Sequence, residues 1–323
     1  MSANAVKNVK KNPFFKEIIG QEEVKEQLFF LAEGANVDLG YCPPVLLIGP
    51  KGTGKTMFAT AFGKSLTDED GSPRKVVILN SSTIKSVPNF FLNIYPKILK
   101  IGKAVAVFFD EAHSLPKEFQ TLLLTVCNPE KGRIRTIEHN GQPVDFNLCE
   151  LAFFFATTDP QRMDKALVDR CEKAALRDYT PSELSKIVKH HCPDFDIADD
   201  AMDLIVPTMR GNGRSAVQRA QQVEKFCKIH GIDKFEKKHW VALRKRANIR
   251  PYGLDINEIQ ILRLLSERGE CSLATLVAAT GHTRPMVQFQ LEPTLTRLGF
   301  MAINGKRQLT AEGHAVIKEL DKE

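Results

Sequence analysis

The chain has 323 residues, 43% of them hydrophobic and 26% charged, with a formal net charge of +6. That length allows two or three domains with cores of their own, and the modest positive excess permits an acidic partner such as nucleic acid without demanding one. The seven cysteines (42, 127, 149, 171, 192, 227 and 271) form no C-x-x-C pair, and nothing completes a ligand set around His190, His191 and Cys192, which argues against a disulfide framework and against a zinc site.

The N-terminal stretch "MSANAVKNVKKNPFF" is basic and lacks an apolar core segment, so no signal peptide is expected. The longest apolar runs, "VLLIG" and "LAFFFA", are too short to cross a bilayer, and a cytoplasmic protein with no membrane partner is expected. Val45 to Ile48 reads as a strand buried in a parallel sheet. It runs into Gly49-Pro50-Lys51-Gly52-Thr53-Gly54-Lys55-Thr56, a match to G-x-x-x-x-G-K-[ST], and then into a helical pattern of Met57, Phe58, Ala61, Phe62 and Leu66. In such a strand–loop–helix, backbone N–H groups of Gly49, Gly52, Thr53 and Gly54 wrap phosphates, and Pro50, which has no N–H, belongs to the cofactor-binding loop by its place in it. Lys55 reaches the terminal phosphates of ATP and Thr56 holds Mg²⁺.

"VAVFFDEAH" supplies a second strand, with Asp110 to support Mg²⁺ and Glu111 to polarise the attacking water. Ala112 and His113 begin the next turn, with His113 placed to relay toward the following segment. That segment, "KGRIRTIEHNGQPVDFNL", is a hairpin about Asn140-Gly141, with a basic stem and a polar tip. "ELAFFFATTDP" is a third strand, which puts Thr157 and Thr158 at the carboxyl edge where open α/β folds bind ligands. In "MDKALVDRCEKAALRDY", spacing alone leaves open whether Arg170 is a solvated charge or an arginine that reaches a neighbouring subunit.

Three helices follow, "TPSELSKIVKHH", "ADDAMDLIVPTM" and "RSAVQRAQQVEKFCKIHG", the last stopped by Gly231. They make a helical lid, and the basic run "KKHWVALRKRANIR" reads as a solvated helix face. Beyond Tyr252-Gly253, Asp255 caps a helix with Ile256, Ile259, Leu262 and Leu265 inward; Ser272 caps a second, ended by Gly281. Thr283 caps a third helix, which Pro293 is expected to kink or break. "FMAINGKRQLT" gives two short strands with Lys306 and Arg307 at the tip. Three helices and a two-stranded wing predict a winged-helix module, with phosphate contacts from Arg284, Lys306 and Arg307 and little sequence preference.

Together, "IGQEEVKEQL", "GPKGTGKT", "FFDEAH", "FATT", "LVDRC" and "RGNGRSAVQRA", in that order, resemble an AAA+ ATPase. With the tail "GLDINEIQILRLL…LEPTLTRLGF…LTAEG", the chain is similar, from about Asn12 to about Leu320, to the RuvB family of hexameric Holliday-junction branch-migration motors. The resemblance implies an α/β AAA+ P-loop domain over residues 1–178, a helical lid over 179–250 and a winged helix over 251–323. It implies Thr158 as the sensor-1 hydroxyl, Arg170 as an arginine finger for ATP on the adjacent subunit, and Arg214 as the sensor-2 arginine. Ile18, Ile19 and Tyr179 would line the adenine pocket.

The letters D-E-A-H also label a helicase class, but those enzymes need a second parallel-sheet domain, and too few residues follow Arg170 to make one. In the RuvB family a hydrophobic hairpin docks on the partner RuvA. The tip "EHNGQP" departs from that pattern, so the 133–146 hairpin is open to a RuvA-like protein, another loader or DNA. The expected function is an ATP-driven motor, a homo-oligomeric ring (hexamer), on duplex or four-way DNA. An alternative of another class is an AAA+ loader or adaptor that uses ATP switching to place a helicase, clamp or recombinase on DNA; a third is a DNA-independent ATPase scaffold.

Overall fold

A computed structural model of the chain describes residues 13–37, 41–68, 70–102, 104–128 and 133–321. They belong to two compact units: Met1–Lys186 with Gly211–Arg214, and Ile187–Arg210 with Ser215–Glu323.

The first unit is built on a five-stranded parallel sheet in the order β2-β3-β6-β1-β7. The strands are β1 (Val45–Ile48), β2 (Lys75–Asn80), β3 (Val105–Asp110), β6 (Leu151–Thr157) and β7 (Glu172–Ala175), while β4 (Ile134–His139) and β5 (Gln142–Asn147) form a separate antiparallel pair. The three central strands are apolar at nearly every position because both faces of the sheet are covered. Successive residues of one strand feed opposite cores: Val105, Val107, Phe109, Phe153 and Phe155 join one cluster, and Ala106, Phe108, Ala152, Phe154 and Ala156 the other. The helix Lys55–Ser65 buries Phe58, Ala61 and Phe62 in the second cluster, whereas Met57, expected inward, is exposed.

The β4–β5 hairpin turns at Asn140-Gly141, both in the left-handed region, as the dipeptide predicts. Its packed face carries Phe146, whose ring meets Phe91 and Tyr95, and Tyr95 donates its hydroxyl hydrogen to the Asp145 carbonyl. The basic stem is not a free cationic surface. Arg135 donates to the Asn128 carbonyl, and the Arg133 guanidinium lies 5.4 Å from the centroid of the Tyr41 ring. Ile134, Thr136, Glu138, Gln142, Pro143 and Asp145 of the strands, and the turn itself, are exposed.

In the second unit, helices Asp199–Ile205 and Lys237–Arg246 stand beside a two-residue parallel pair, β8 (Asp196–Ile197) and β9 (Lys234–Phe235). Helix Lys237–Arg246 buries only Trp240 and Leu243 and otherwise presents charge to water, as its composition suggests. Residues from Leu254 to Leu320 enclose a core of their own. There Asp255, Ser272 and Thr283 cap their helices as expected, followed by β10 (Met301–Asn304), β11 (Lys306–Leu309) and a closing helix, Ala311–Leu320. Ile256, expected inward, is exposed, and Ile261 is buried in that core.

Pro293 does not break its helix. The backbone passes from Arg284–Met286 through a π-helical turn at Val287–Leu291 into Glu292–Arg297 without leaving the right-handed region at the junctions. A wider π turn shifts the hydrogen-bond register just before the proline, where an α-helix would need the N–H that proline lacks. The same device precedes Pro96, after the π turn Phe90–Ile94.

Candidate active site

At the carboxyl ends of β1, β3 and β6 the first unit gathers most of the expected catalytic letters. The start of the loop after β1 is pinned on both sides: the Gly49 N–H donates to the Thr157 carbonyl at 3.3 Å, and the Leu176 N–H to the Ile48 carbonyl at 2.7 Å. Gly52 (φ 82°) and Gly54 (φ 94°) lie in the left-handed region, and a Cβ on Gly54 would sit 3.1 Å from the Tyr179 hydroxyl. Gly54 is also the N-cap of helix Lys55–Ser65 and supplies no side-chain cap, which leaves first-turn N–H groups to an anionic ligand. Thr53 is fully buried and its hydroxyl donates to the Pro50 carbonyl, a loop-shaping role.

Lys55 is 8% exposed, and its ammonium donates to the carbonyls of Gly49 (2.7 Å) and Pro50 (2.9 Å). Burial pulls its pKa below the usual lysine value; Glu111 and Asp110 act in the opposite sense, and Arg214 and Lys51 reinforce the lowering. Four charges thus act on one ammonium, and Arg214, exposed at the start of its helix, is among them. The Thr56 hydroxyl donates to Asp110 Oδ2 at 3.3 Å, and Asp110 Oδ1 accepts the Glu111 N–H at 3.0 Å. These hard oxygen donors beside a glycine cradle that any Cβ would narrow fit a Mg²⁺–nucleotide.

Tyr179 is buried, which pushes its phenol up to about 12, and its hydroxyl donates to the Thr53 carbonyl at 3.0 Å. Ile18 lies in the core cluster packed under the phosphate-loop helix, and Ile19 is half-buried. Thr158 is the first residue beyond β6 and half-buried, whereas Thr157 is the fully buried hydroxyl. Arg170 is the C-cap of helix Lys165–Asp169, and its guanidinium donates back to the Ala166 carbonyl at 3.0 Å.

His113, expected to relay toward the hairpin, instead faces β6: its Nδ1 lies 2.9 Å from Thr157 Oγ1. Sequence reasoning also missed the turn Gly211–Gly213, which hydrogen-bonds to the phosphate loop. Asn212 Nδ2 donates to the Lys51 carbonyl, the Gly213 N–H to the Gly52 carbonyl, and the Tyr179 N–H to the Gly211 carbonyl. A Cβ on Gly213 would stand 2.7 Å from the Tyr179 ring, so the bare glycine explains the close approach. The glycine-rich "RGNG" was the one local signal of such a contact.

The expected DNA contacts belong to the other unit. Arg284 is exposed at the start of its helix, and Lys306 is exposed with Glu270 3.5 Å away. Arg307 departs from its expected place at the tip: it stands one rung below the Asn304-Gly305 turn, opposite Ile303, and its guanidinium is spent on the buried Glu292 at 2.8 and 3.2 Å.

The AAA family model, described as the ATPase family associated with various cellular activities, matches residues 45–179. RuvB of Leuconostoc mesenteroides, a Holliday junction branch migration complex subunit, is 26% identical, covering 95% of this chain and 88% of that protein. RuvB of Mycoplasmopsis pulmonis is 24% identical, covering 95% and 96%. The solved structure of the Thermotoga maritima RuvB Holliday junction branch migration motor shares the fold, with a TM-score of 0.72 at 24% identity over 94% of this chain and 96% of that one. With the phosphate loop, the acidic strand and the sheet order all in place, residues 45–179 form an AAA ATPase domain that binds and hydrolyses ATP, in a chain similar to RuvB over nearly its whole length.

Proposed function

We propose that the chain is a ring-forming, ATP-driven DNA motor that moves duplex or four-way-junction DNA in the cytoplasm. The observation that carries this reading is the reach of the similarity. The AAA match ends at residue 179, yet the likeness to RuvB continues over 95% of the chain, through the C-terminal core. Among the described residues no helix is long and apolar enough to cross a membrane.

In this reading the chain has three modules: an ATPase domain over 1–178, a lid over 179–250 and a winged helix over 251–323. Lys55 and the loop N–H groups bind the β- and γ-phosphates, and Tyr179 with Ile18 and Ile19 bounds the adenine. Thr56 and Asp110 would hold Mg²⁺, which when bound neutralises charge on the phosphate oxygens. Glu111 orients water and accepts its proton as the oxygen attacks the γ-phosphorus and the bond to the bridging oxygen breaks. Thr158 hydrogen-bonds the γ-phosphate, Arg214 contacts phosphate from the lid side, and Arg170 completes the site of the next subunit in a hexamer.

Arg284 and Lys306 contact DNA phosphates without reading bases, and Arg307 braces the wing through Glu292. The 133–146 hairpin docks a protein of RuvA-like role. Its neutral-to-acidic solvent face, with Glu138 and Asp145 and both stem arginines turned inward, favours protein over DNA there.

Strand exchange on a synthetic four-way junction tests the proposal. ATP-dependent conversion of the junction to duplex arms supports a motor. Binding with no conversion, alone or with a RuvA-like partner, rejects it and favours a loader that places a helicase, clamp or recombinase.

A further inference from the structure

Glu111 is held in an unusual way for a residue with a Cβ. Its backbone is left-handed (φ 52°, ψ 48°), and the chain leaves it in a 3₁₀ turn, Ala112–Ser114, closed by Ser114 N–H to the Glu111 carbonyl at 2.8 Å. Left-handed backbone at a non-glycine residue is strained and collects at functional positions. The consequence is geometric: the turn folds His113 back between the Glu111 carboxylate and the sheet. The imidazole is 12% exposed, with Nδ1 3.5 Å from Glu111 Oε2 and 2.9 Å from Thr157 Oγ1.

Thr157 is a fixed point. It is fully buried, its Oγ1 accepts the Asp159 N–H at 3.0 Å, and its carbonyl accepts the N–H of Gly49, the first residue of the phosphate loop. One lone pair of Oγ1 remains for an Nδ1–H. A proton on Nδ1 therefore faces two acceptors, a buried hydroxyl on β6 and a carboxylate on a side chain that is 39% exposed.

We propose that His113 is a positioning residue for ATP hydrolysis, tying the Glu111 carboxylate to Thr157 and so to the strand end that carries Thr158. A general base works only when a third group orients it, and His113 is the group this fold provides. A small rotation of the ring moves the Nδ1 proton from Thr157 toward Glu111. The aim of the carboxylate thereby depends on whether β6 and the phosphate loop are in register. The proposal rests on Glu111 as the residue that activates water.

The test is steady-state ATPase kinetics on the full chain, with nucleotide affinity read separately by titrating a fluorescent ATP analogue. His113→Ala should lower kcat roughly 10- to 100-fold while leaving KM and nucleotide affinity unchanged, the pattern of a misaimed catalytic group. His113→Asn, whose amide nitrogen falls where Nδ1 lies, should restore most of the rate, and His113→Gln, which mimics Nε2, should not. Thr157→Val should reproduce the alanine phenotype. If His113→Ala does not fold, the ranking of Asn over Gln decides.

The proposal is overturned if His113→Ala turns over within twofold of wild type, if Gln restores as well as Asn, or if nucleotide affinity falls in step with kcat. Glu111→Gln is run alongside. Wild-type turnover in that variant removes the role of Glu111 itself, whereas an inactive Glu111→Gln beside a fully active His113→Ala removes only the role of His113.

Discussion

Arg210→Ala should cost the second unit several kcal/mol, and the structure gives the size. Arg210 donates Nε–H to the Tyr252 carbonyl at 2.9 Å and two N–H groups to Glu258, at 2.9 and 2.6 Å, with a further bond to the Gly253 carbonyl. The Glu258 side chain is 4% exposed and also accepts the Asp255 N–H in the helix capping box. Removing the guanidinium strands a buried carboxylate, a loss of about 3–5 kcal/mol in comparable pairs. Residue 210 sits at φ 54°, so alanine keeps the left-handed strain, whereas glycine would recover about 1 kcal/mol of it. Urea unfolding followed through Trp240, the sole tryptophan and buried in the same unit, measures both variants. The expected order is wild type, then Arg210→Gly, then Arg210→Ala. A loss below about 1 kcal/mol for the alanine variant, against the pair's expected worth, would refute the reasoning, as would glycine ranking under alanine.

Three further outcomes follow from the first unit. Arg177 grips Glu183 in a bidentate pair and holds its carboxyl down to about 2, aided by hydrogen bonds from Thr180. Because the folded pKa is depressed, this stability is present above the unfolded value near 4.3 and is lost as pH falls toward about 2. With Arg177 more than half exposed, screening limits it to about 1 kcal/mol, and Glu183→Gln should flatten that part of an acid-unfolding curve. Tyr179→Phe deletes the buried bond to the Thr53 carbonyl and should lower thermal stability by about 1 kcal/mol while weakening nucleotide binding in a titration; unchanged values in both would contradict a bracing role. Arg170→Ala should bind nucleotide normally and hydrolyse none, and retained turnover would sink its action on a neighbouring subunit.

What the sequence made legible was local. β1, β3 and β6 announce themselves because both sheet faces are buried, and the phosphate loop because its spacing is fixed by contact with one ligand. β2 and β7, the two edges, were not recognised: β2 has no fully buried position, and β7 is four residues, Glu172 to Ala175, with no bulky apolar side chain. Pro293 does not break its helix, because its cost depends on hydrogen-bond register, which the π turn before it shifts. Contacts across long sequence separations were also invisible. His113 meets Thr157 44 residues on, Arg210 meets Glu258 48 on, and Asn212 reaches back 161 residues to Lys51. The basic hairpin stem was legible as letters, but its arginines turn inward, a matter of strand parity and packing rather than composition.

The most direct test of the account is a single-turnover measurement on Glu111→Gln. The amide keeps the side chain's shape but cannot accept a proton from water. The variant should therefore bind ATP as wild type does and release no phosphate, accumulating as an ATP-bound assembly. Phosphate release at the wild-type rate would contradict the assignment of Glu111 and the hydrolytic mechanism built on it.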